Sequence, residues 1–261
     1  GKALLSWKRP AWEGHIFKGW TDLPDGVVAK YQPSEEITVT ESMELYAVWE
    51  SNRVERSGQC GENVIWELDV DCNLTVSGTG EMWDYDGNGG PWVEYAFDSL
   101  TIGNGITYIG ENAFRNRTYD FDITIPDSVT EIGDDAFNQC GLQEMTLPAG
   151  LTRIGENLFW SNFDLTRVTI PEGVVSIGSY AFTNCDRLSD LRLPGGLETI
   201  GEYAFSGCCS LQGVVLPAGM KTVGPYAFND CQALEEVVIS GGHTAIDAAA
   251  FSGCAVLTVY Y

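Results

Sequence analysis

Cysteine and histidine are the residue types with the widest chemical range in this 261-residue sequence, which has eight cysteines and two histidines. A thiol protease requires a cysteine beside a histidine whose ring is oriented by a third group, and a zinc site requires several such ligands together. The two histidines, His15 and His243, lie near opposite ends of the chain. We therefore predict a protein that is not an enzyme and has no catalytic residues and no cofactor.

The hexapeptide DYDGNG, which begins at Asp84, matches the opening of an EF-hand calcium loop. Such a loop carries a glutamate at its twelfth position, but Tyr95 stands there and Glu94 precedes it by one residue. Asp84, Asp86 and Asn88 are therefore a candidate calcium site, and an acidic, glycine-rich loop without metal is the favoured alternative.

Two further sets of residues are candidates for binding a partner. Tyr180, Tyr203 and Tyr226 recur every 23 residues and are expected to form a stripe on the outside of the molecule. Such a stripe suggests a sugar site, with packing of the rings against one another as the favoured alternative. The second set alternates with apolar residues, so it points outward from short strands. Along the chain, threonine is replaced by valine at one of these outward positions. The residues of this row that are candidates for contact with a partner are Glu144, Arg167, Asp190 and Arg192. The alternative is a sheet face that is only solvated.

These candidates are positioned by a repeat with a period close to 23 residues. An isoleucine or valine stands five residues before each of seven phenylalanines, which are spaced by five steps of 23 residues and one of 22: Phe114, Phe137, Phe159, Phe182, Phe205, Phe228 and Phe251. Cysteine lies three residues after five of them: Cys140, Cys185, Cys208, Cys231 and Cys254. Because many positions share one period, the chain is predicted to be a repeat protein.

One repeat unit illustrates the expected geometry. The alternation of Leu191 and Leu193 indicates a short strand with one buried face, and Pro194 ends that strand because it lacks an N–H group. The stretch Glu202–Cys208 is compatible with one helical or 3-10 turn that buries Phe205. A single unit cannot bury its apolar side, so copies must stack about 4.8 Å apart. The predicted fold is a right-handed solenoid of about seven coils over residues 100–261, with short parallel strands and helical or 3-10 turns; the 22-residue step is expected to be a local bulge.

The repeat also determines how the cysteines are interpreted. Stacked coils place neighbouring sulfurs in one column with parallel Cβ vectors, whereas a disulfide needs converging vectors. We therefore expect a column of reduced, buried thiols. Cys60 and Cys72 are also expected to be unpaired, and Cys209 is expected to point away from Cys208.

A solenoid needs a cap at its open end. Apolar residues at 64–68 and 74–76 flank the polar segment Asp69–Asn73, a pattern that predicts a β-hairpin. Together with Trp83 and Trp92, this hairpin is expected to cover the first coil. Residues 57–99 are therefore predicted to be a capping hairpin and loop.

The charge is strongly acidic and unevenly distributed. The chain has 37 acidic and 14 basic residues, for a net charge of −23. Residues 1–56 hold nine acidic and seven basic residues, a net of −2, which leaves 28 and seven, a net of −21, for residues 57–261. This change predicts a domain boundary near Ser51–Ser57.

The composition also bears on partners and location. Nucleic acids and anionic membranes attract basic surfaces, so neither is expected to bind this chain. No apolar run approaches the roughly 20 residues of a membrane-spanning helix. No basic segment followed by an apolar one opens the sequence, so we expect any secretory signal to be absent.

The repeat unit LxxLxLPxxLxxIGxxAFxxC resembles the BspA-like leucine-rich repeats of bacterial surface proteins over about residues 100–261. The stretch that begins SGQCGEN at Ser57 and includes Trp66, LTVSGTG and Pro91-Trp92 resembles the leader that often precedes such repeats. Residues 16–49, with IFKGW and LYAVW, are similar to the second half of a Listeria–Bacteroides repeat, a small β-grasp-like module. This similarity predicts a partial β module at residues 1–52.

The resemblance implies an extracellular or cell-surface protein used for adhesion, with no catalytic residues. The leading interpretation is non-enzymatic recognition of a host or extracellular-matrix protein through the solenoid surface. A carbohydrate-binding module with a glycan ligand is one alternative. A structural spacer that displays another domain is the other.

Overall fold

The computed structural model describes residues 2–4, 15–24, 28–39, 42–51, 54–118, 123–242, 244–255 and 258–260. It divides into two compact units, Gly1–Glu55 and Arg56–Tyr261. The secondary structure of the described residues consists of strands and turns without a helix. No helix in this part of the chain is therefore long and apolar enough to cross a membrane.

The first unit contains two small antiparallel ladders built from four strands: β1 (Lys2–Leu4), β2 (His15–Thr21), β3 (Glu36–Thr38) and β4 (Tyr46–Ser51). Strand β1 pairs with β3, and β2 pairs with β4 across an irregularity between Phe17 and Gly19. Phe17 packs edge-on against Trp20 and Trp49, with ring centroids 5.0 and 5.5 Å away. These rings come from the two predicted motifs, whose assignment to a Listeria–Bacteroides repeat stays a prediction.

The second unit contains the remaining eighteen strands, most of which are only two to four residues long. They are β5 (Val54–Gln59), β6 (Val64–Asp69), β7 (Asn73–Gly78), β8 (Gly80–Glu81), β9 (Ser99–Ile102), β10 (Ile106–Ile109), β11 (Glu131–Ile132), β12 (Glu144–Thr146), β13 (Arg153–Ile154), β14 (Arg167–Thr169), β15 (Ser176–Ile177), β16 (Asp190–Leu191), β17 (Thr199–Ile200), β18 (Gly213–Leu216), β19 (Thr222–Val223), β20 (Glu236–Ile239), β21 (Ala245–Ile246) and β22 (Thr258–Tyr260).

Equivalent strands of successive repeats pair in parallel and in register, so the second unit is a parallel β-solenoid of about eight turns. One ladder runs through β13, β15, β17, β19 and β21, while the preceding strand of each coil forms the ladders β12–β14–β16 and β18–β20–β22. At the corner between the two strands, the proline carbonyl accepts a hydrogen bond from the N–H three residues later, as between Pro194 and Leu197 at 3.1 Å. The predicted solenoid is confirmed.

The predicted helical or 3-10 turn is wrong, and the hydrogen bonds of the fifth coil explain why. Ala204 and Ser206 donate their N–H groups to carbonyls three residues earlier, but the N–H groups of Tyr203, Phe205 and Gly207 bond to the next coil. Tyr203 and Gly207 also have positive φ angles, 53° and 75°, which a type II turn requires at its third residue. In a continuous helix the N–H groups bond to carbonyls of the same segment, whereas this series of β-turns leaves alternate N–H groups free to bond to the next coil.

The core is a column of stacked phenylalanine rings. The repeat phenylalanines from Phe114 to Phe228 are at most 1% exposed, and Phe251 in the last coil is half-buried. Successive ring centroids lie 5.1–5.5 Å apart, except for 6.2 Å between Phe137 and Phe159 across the short repeat. Stacked pairs of this kind contribute roughly 0.5–1.5 kcal/mol each beyond the area they bury.

The predicted hairpin is confirmed: β6 and β7 pair antiparallel, from Val64 opposite Gly78 to Leu68 opposite Leu74. The second strand of the hairpin also belongs to the solenoid, because β7 pairs in parallel with β9. The next strand, β8, likewise pairs in parallel with β10. Residues 73–92 thus form an additional coil without the repeat motif.

Trp92 occupies the phenylalanine position of this additional coil. Its ring stacks on Phe114 at 5.2 Å, it is 1% exposed, and its indole N–H donates to the carbonyl of Ala113 at 3.1 Å. Trp83, which was predicted to share this role, is 48% exposed. Trp92 alone of the two tryptophans therefore covers the first phenylalanine.

The short repeat is completed by a side chain rather than by a backbone bulge. Asn162, fully buried in the slot that holds cysteine in other coils, accepts hydrogen bonds at Oδ1 from the N–H groups of Cys140 (3.2 Å) and Leu142 (3.1 Å). Its Nδ2 donates to the carbonyls of Phe137 and Phe159, at 2.8 and 3.0 Å. One amide thus satisfies the backbone groups around the missing residue.

Candidate functional site

The charged residues predicted on the strand face lie side by side. Glu144, Arg167 and Asp190 are register partners on β12, β14 and β16. Arg167 Nε lies 2.8 Å from Asp190 Oδ2, and its Nη1 lies 4.0 Å from Glu144 Oε2. All three side chains are about half exposed, so the pairs contribute only about 0–1 kcal/mol to stability. Their polar groups are available to a partner at little structural cost.

Arg192 lies beside this row. Together with Arg167, Thr169, Glu172 and Asp190 it lines a groove across the strands. Glu172 Oε2 accepts a hydrogen bond from the N–H of Gly195 at 3.1 Å, which fixes one wall of the groove. The guanidinium groups in this groove can donate hydrogen bonds to the carbonyl groups of a bound peptide, and the carboxylates can accept hydrogen bonds from its N–H groups.

The strand face changes character along its length. The ladder β12–β14–β16 is separate from the ladder β18–β20–β22, and at the discontinuity Leu191 and Leu193 are half-buried rather than buried as predicted. The first ladder carries the charged row. On the second ladder Gly213, Glu236 and Thr258 form the row equivalent to the charged one. A second outward row there consists of the register partners Val215, Val238 and Tyr260. The sequence pattern identified the two valines, but continuing their 23-residue spacing leads to position 261, so only the strand pairing identifies Tyr260 as the partner of Val238.

The three predicted tyrosines form one stack at the turn segment of their coils. The ring centroids of Tyr180 and Tyr203 lie 5.2 Å apart and those of Tyr203 and Tyr226 lie 4.8 Å apart, with interplanar angles of 11° and 12°. Each ring therefore covers the face of its neighbour. Edges and hydroxyl groups of the stack face outward, whereas a sugar ring stacks on an aromatic face.

The tyrosines also adopt a backbone conformation that is unusual for bulky residues. Their φ angles are 58°, 53° and 57° for Tyr180, Tyr203 and Tyr226, and earlier coils place Asn112, Asp135 and Asn157 at the same position with φ angles of 51–59°. Asparagine and aspartate tolerate this region far better than tyrosine. Stacking between the rings offsets part of this strain.

The hydroxyl of the middle tyrosine stays protonated at neutral pH. Desolvation, followed by the nearby Tyr226, Tyr180 and Glu202, raises the pKa of Tyr203 above its ordinary value. The stack therefore presents neutral hydrogen-bonding groups rather than charges. It lies on a different segment of each coil from the charged row, so the structure does not join the two predicted surfaces into one site.

The residues of the candidate calcium loop make hydrogen bonds to other groups of the protein, and their role in binding calcium stays a prediction. Asp84 Oδ1 accepts hydrogen bonds from the hydroxyl of Tyr108 (2.6 Å) and the N–H of Glu111 (2.9 Å). Asp86 Oδ1 accepts from the N–H and side-chain amide of Asn88, both at 3.0 Å. Among the described residues, no three His, Cys, Asp or Glu side chains are grouped as a metal site. These contacts make Asp84 a link between the additional coil and the first repeat.

The repeat cysteines form a ladder of thiols that donate to the backbone. Each sulfur lies 3.1–3.3 Å from the carbonyl oxygen of the repeat phenylalanine one coil earlier; the cysteines are Cys140, Cys185, Cys208, Cys231 and Cys254. All eight cysteines are free. Burial raises the pKa of Cys60 to about 12 and raises that of the ladder thiols as well. The cysteines are thus structural hydrogen-bond donors rather than nucleophiles.

In the first coil Arg117 replaces the ladder cysteine. Its guanidinium donates to the carbonyls of Val93 and Tyr95 and lies over the ring of Phe97, 4.6 Å from the centroid. Arg117 therefore connects residues 93–97, which precede the first repeat, to the first repeat itself. His243 and the side chain of His15, which the sequence analysis considered for catalysis and zinc binding, lie outside the described residues.

The repeat is also recognised by comparison with known families. Residues 93–172 and 154–261 match the BspA type leucine-rich repeat region, in six copies. A search of curated protein sequences finds no match.

Three solved structures are similar to the chain. A leucine-rich repeat protein of T. pallidum is 25% identical, with 70% of this chain and 72% of that chain covered and a TM-score of 0.44. A leucine-rich repeat protein of Bacteroides ovatus is 24% identical, with 62% and 49% covered and a TM-score of 0.48. A leucine-rich cell surface protein of Faecalibacterium prausnitzii is 18% identical, with 80% and 95% covered and a TM-score of 0.31.

The family assignment rests on the repeat match, which extends over most of the chain and includes every phenylalanine of the core column. The solenoid geometry agrees with it, since parallel strand pairing and the hydrogen-bonded proline corner recur in successive repeats. This chain belongs to the BspA type leucine-rich repeat family.

Proposed function

We propose that this protein is a non-enzymatic binding protein, located outside the cell or on its surface, that recognises a protein partner through the outward face of its strand ladders. The observation that supports this proposal most directly is the charged row of Glu144, Arg167 and Asp190, which lies beside Arg192 on a parallel strand ladder. Regular scaffolds with variable outward residues are how repeat proteins bind partners. A host or extracellular-matrix protein is the proposed partner class, in an adhesive role.

The geometry of the tyrosine stack favours a protein over a glycan. A sugar site needs an uncovered aromatic face, and the stack of Tyr180, Tyr203 and Tyr226 covers both faces of the middle ring and leaves one face of each end ring outside the stack. The acidic composition disfavours nucleic acid as a partner. The charged groove, by contrast, offers the mixed donors and acceptors that a polypeptide surface can match.

A binding screen with two matched variants tests the proposal. The immobilised protein is exposed to a panel of extracellular-matrix proteins and to a glycan array, and any hit is measured again with Arg167→Glu and with Arg187→Glu. Arg187 is the control because it is also an exposed, ion-paired arginine, 2.7 Å from Asp164, but does not lie on a strand. We expect a protein hit whose Kd rises at least about tenfold in Arg167→Glu, or 1.4 kcal/mol, and less than about twofold in Arg187→Glu.

Three results would contradict the proposal. Binding to glycans alone favours the carbohydrate-binding alternative. A protein hit that is equally sensitive to both substitutions places the contact elsewhere. No binding in either screen favours a spacer that displays another domain.

A further inference from the structure

We propose that a groove beside Trp83 binds an arginine side chain. We name it the cap groove; it has a volume of about 400 Å³ and is lined by Glu62, Asn63, Thr79, Gly80, Glu81, Met82, Trp83 and Thr107. These residues belong to the turn before β6, the additional coil and β10, and none of them belongs to the charged row. The inference therefore goes beyond the proposed function and does not depend on it.

Trp83 carries a large side chain at a position where the repeats carry glycine. A Cβ atom added to Gly110 would collide with the carbonyl group of Trp83, just as one added to Gly178 would come too close to that of Gly155. The position tolerates a side chain because β8, the strand that leads to it, is the edge strand of the ladder β8–β10–β11. Trp83 is 48% exposed, and Trp92 already covers the first phenylalanine. The fold therefore does not require an indole at this position.

The chemical groups that line the cap groove are not used by the fold. Met82 is 2% exposed, so Glu81 and Trp83 on either side of it point outward, to the same side of the chain. Among the described residues, the carboxylates of Glu62 and Glu81 form no hydrogen bond or ion pair, and the Trp83 ring packs against no other aromatic ring. Two unpaired carboxylates and an exposed indole thus line one groove.

The walls of the groove are held in place by backbone hydrogen bonds. The N–H of Thr79 donates to the carbonyl of Asn63 at 3.0 Å, and the N–H of Trp83 donates to the carbonyl of Cys60 at 2.7 Å. The two segments that carry the carboxylates are therefore fixed relative to each other. A ligand that binds there does not have to order the backbone first, which lowers the cost of binding.

The charge of the groove defines its ligand. Two of the eight lining residues are acidic and none is basic. Residues 57–114, which include all eight, contain ten acidic residues and no lysine, arginine or histidine. The basic residues that flank this segment are occupied elsewhere, because Arg56 lies 5.9 Å from the ring centroid of Tyr95 and Arg115 is paired with Asp135 at 3.1 Å. The complementary ligand is therefore a cation.

The indole selects an organic cation, and arginine is the side chain that fits best. Tryptophan is the residue whose ring face binds cations most strongly. A guanidinium group is planar, so it can stack on the indole while its N–H groups donate to the carboxylates of Glu62 and Glu81. A lysine ammonium group is compact and more strongly hydrated, so it gains less from the ring. The partner of the groove is thus a polypeptide that exposes an arginine.

Three blocked tripeptides are the probes: acetyl-Gly-Arg-Gly-amide and its analogues with citrulline or lysine in the middle. Citrulline has the shape of arginine without its charge. Each tripeptide, and separately the neutral sugar maltose, is titrated into the isotope-labelled full protein. The Kd is obtained from the NMR shifts of the backbone N–H signals of residues 79–83.

Two variants of the groove are compared with two matched controls. The groove variants are Trp83→Leu and Glu81→Gln. The control for the first is Phe163→Leu, because Phe163 is also an aromatic residue exposed to about the same extent, at 54%, and lies outside the groove. The control for the second is Glu94→Gln, at another exposed glutamate outside the groove.

We expect the arginine peptide to shift the signals of the groove and added salt to weaken its binding. Its Kd should rise at least about tenfold in Trp83→Leu and about threefold in Glu81→Gln. The citrulline peptide should bind at least about tenfold more weakly than the arginine peptide, and both control variants should change the Kd less than about twofold. Because Glu81 is exposed, Glu81→Gln should keep the midpoint of urea denaturation and test the site independently of the stability of Trp83→Leu.

The inference is overturned if the arginine peptide shifts no signal of the groove, if the citrulline peptide binds as tightly, or if the control variants weaken binding as much as the groove variants. Shifts with maltose in place of the arginine peptide would also overturn it and assign the groove to a glycan. The proposed function fails separately, because it concerns matrix proteins whose binding depends on Arg167. A matrix protein that is sensitive to Arg167→Glu supports the proposed function whatever the tripeptides do.

Discussion

Asn162 provides a direct test of how the solenoid tolerates a repeat that is one residue short. We predict that Asn162→Cys, which restores the residue type of the other coils, destabilises the protein. The amide makes four hydrogen bonds in a fully buried position. A cysteine can replace one of them, by donating to the carbonyl of Phe137 as the ladder thiols do in their coils. Three lost hydrogen bonds at about 1 kcal/mol each give an expected loss of about 3 kcal/mol.

The loss should depend on the length of the preceding repeat. Inserting one glycine after Gly141 restores a 23-residue step, so that Cys140 and Leu142 can form the backbone hydrogen bonds seen elsewhere. An example is the bond from the N–H of Leu188 to the carbonyl of Cys185 at 3.0 Å. In this lengthened protein, Asn162→Cys should cost less than about 1 kcal/mol. The predicted coupling between insertion and substitution is therefore about 2 kcal/mol.

Urea denaturation of the four proteins in this cycle measures the coupling. The parent protein, the insertion, the substitution and the combination are compared by their free energies of unfolding. Additive effects, or a substitution that is harmless in the parent protein, would refute the assignment of Asn162 as the replacement for the missing residue.

Three other predictions concern the columns of the core and surface. Phe182→Ala should cost about 3–5 kcal/mol, and Phe251→Ala, at a half-buried position with one stacked neighbour 5.3 Å away, less than half as much; equal losses in urea denaturation would contradict the column. Burial raises the pKa of the thiols from an ordinary value near 9.0, so between pH 9 and about 12 they ionise only in the unfolded chain. The thiol contribution to the free energy of unfolding should therefore be constant from pH 7 to 9 and then fall by about 1.4 kcal/mol per pH unit for each buried thiol; a profile that stays flat from pH 9 to 11 would argue against buried thiols. Tyr203→Asn should be about 1 kcal/mol more stable than Tyr203→Leu, because asparagine tolerates the φ of 53°; the reverse order in thermal denaturation would mean that apolar packing outweighs backbone strain.

Periodicity made the stacked architecture predictable from sequence. Residues such as Phe182 and Ile177 recur at one spacing, and a column of apolar side chains is the only way for such short units to bury them. The buried thiols followed from the same argument, since Cys185 and Cys208 have the same place in their repeats. The family match and the paired strands bear this out.

The turns and the additional coil were not predictable in the same way. A short apolar stretch such as Glu202–Cys208 suits a helix as well as a chain of β-turns, and only the positive φ of Tyr203 and the bonds to the next coil decide between them. The additional coil lacks the motif, so Trp92 was identified as a cap but not as a member of the ring column. The link between Asn162 and the short repeat was not predictable either, because it depends on contacts 20–25 residues away along the chain.

The alternation of hydrogen bonds along the turns has a consequence for how this protein can change in length. The turns of successive 23-residue copies present the same donors and acceptors to their neighbours, so these turn bonds are expected to form again when a copy is duplicated or deleted. The two copies joined by Asn162 are different, because the side-chain amide of one copy accepts hydrogen bonds from two backbone N–H groups of the other. A rearrangement that separates these two copies would leave the N–H groups of Cys140 and Leu142 without the amide oxygen that accepts from them.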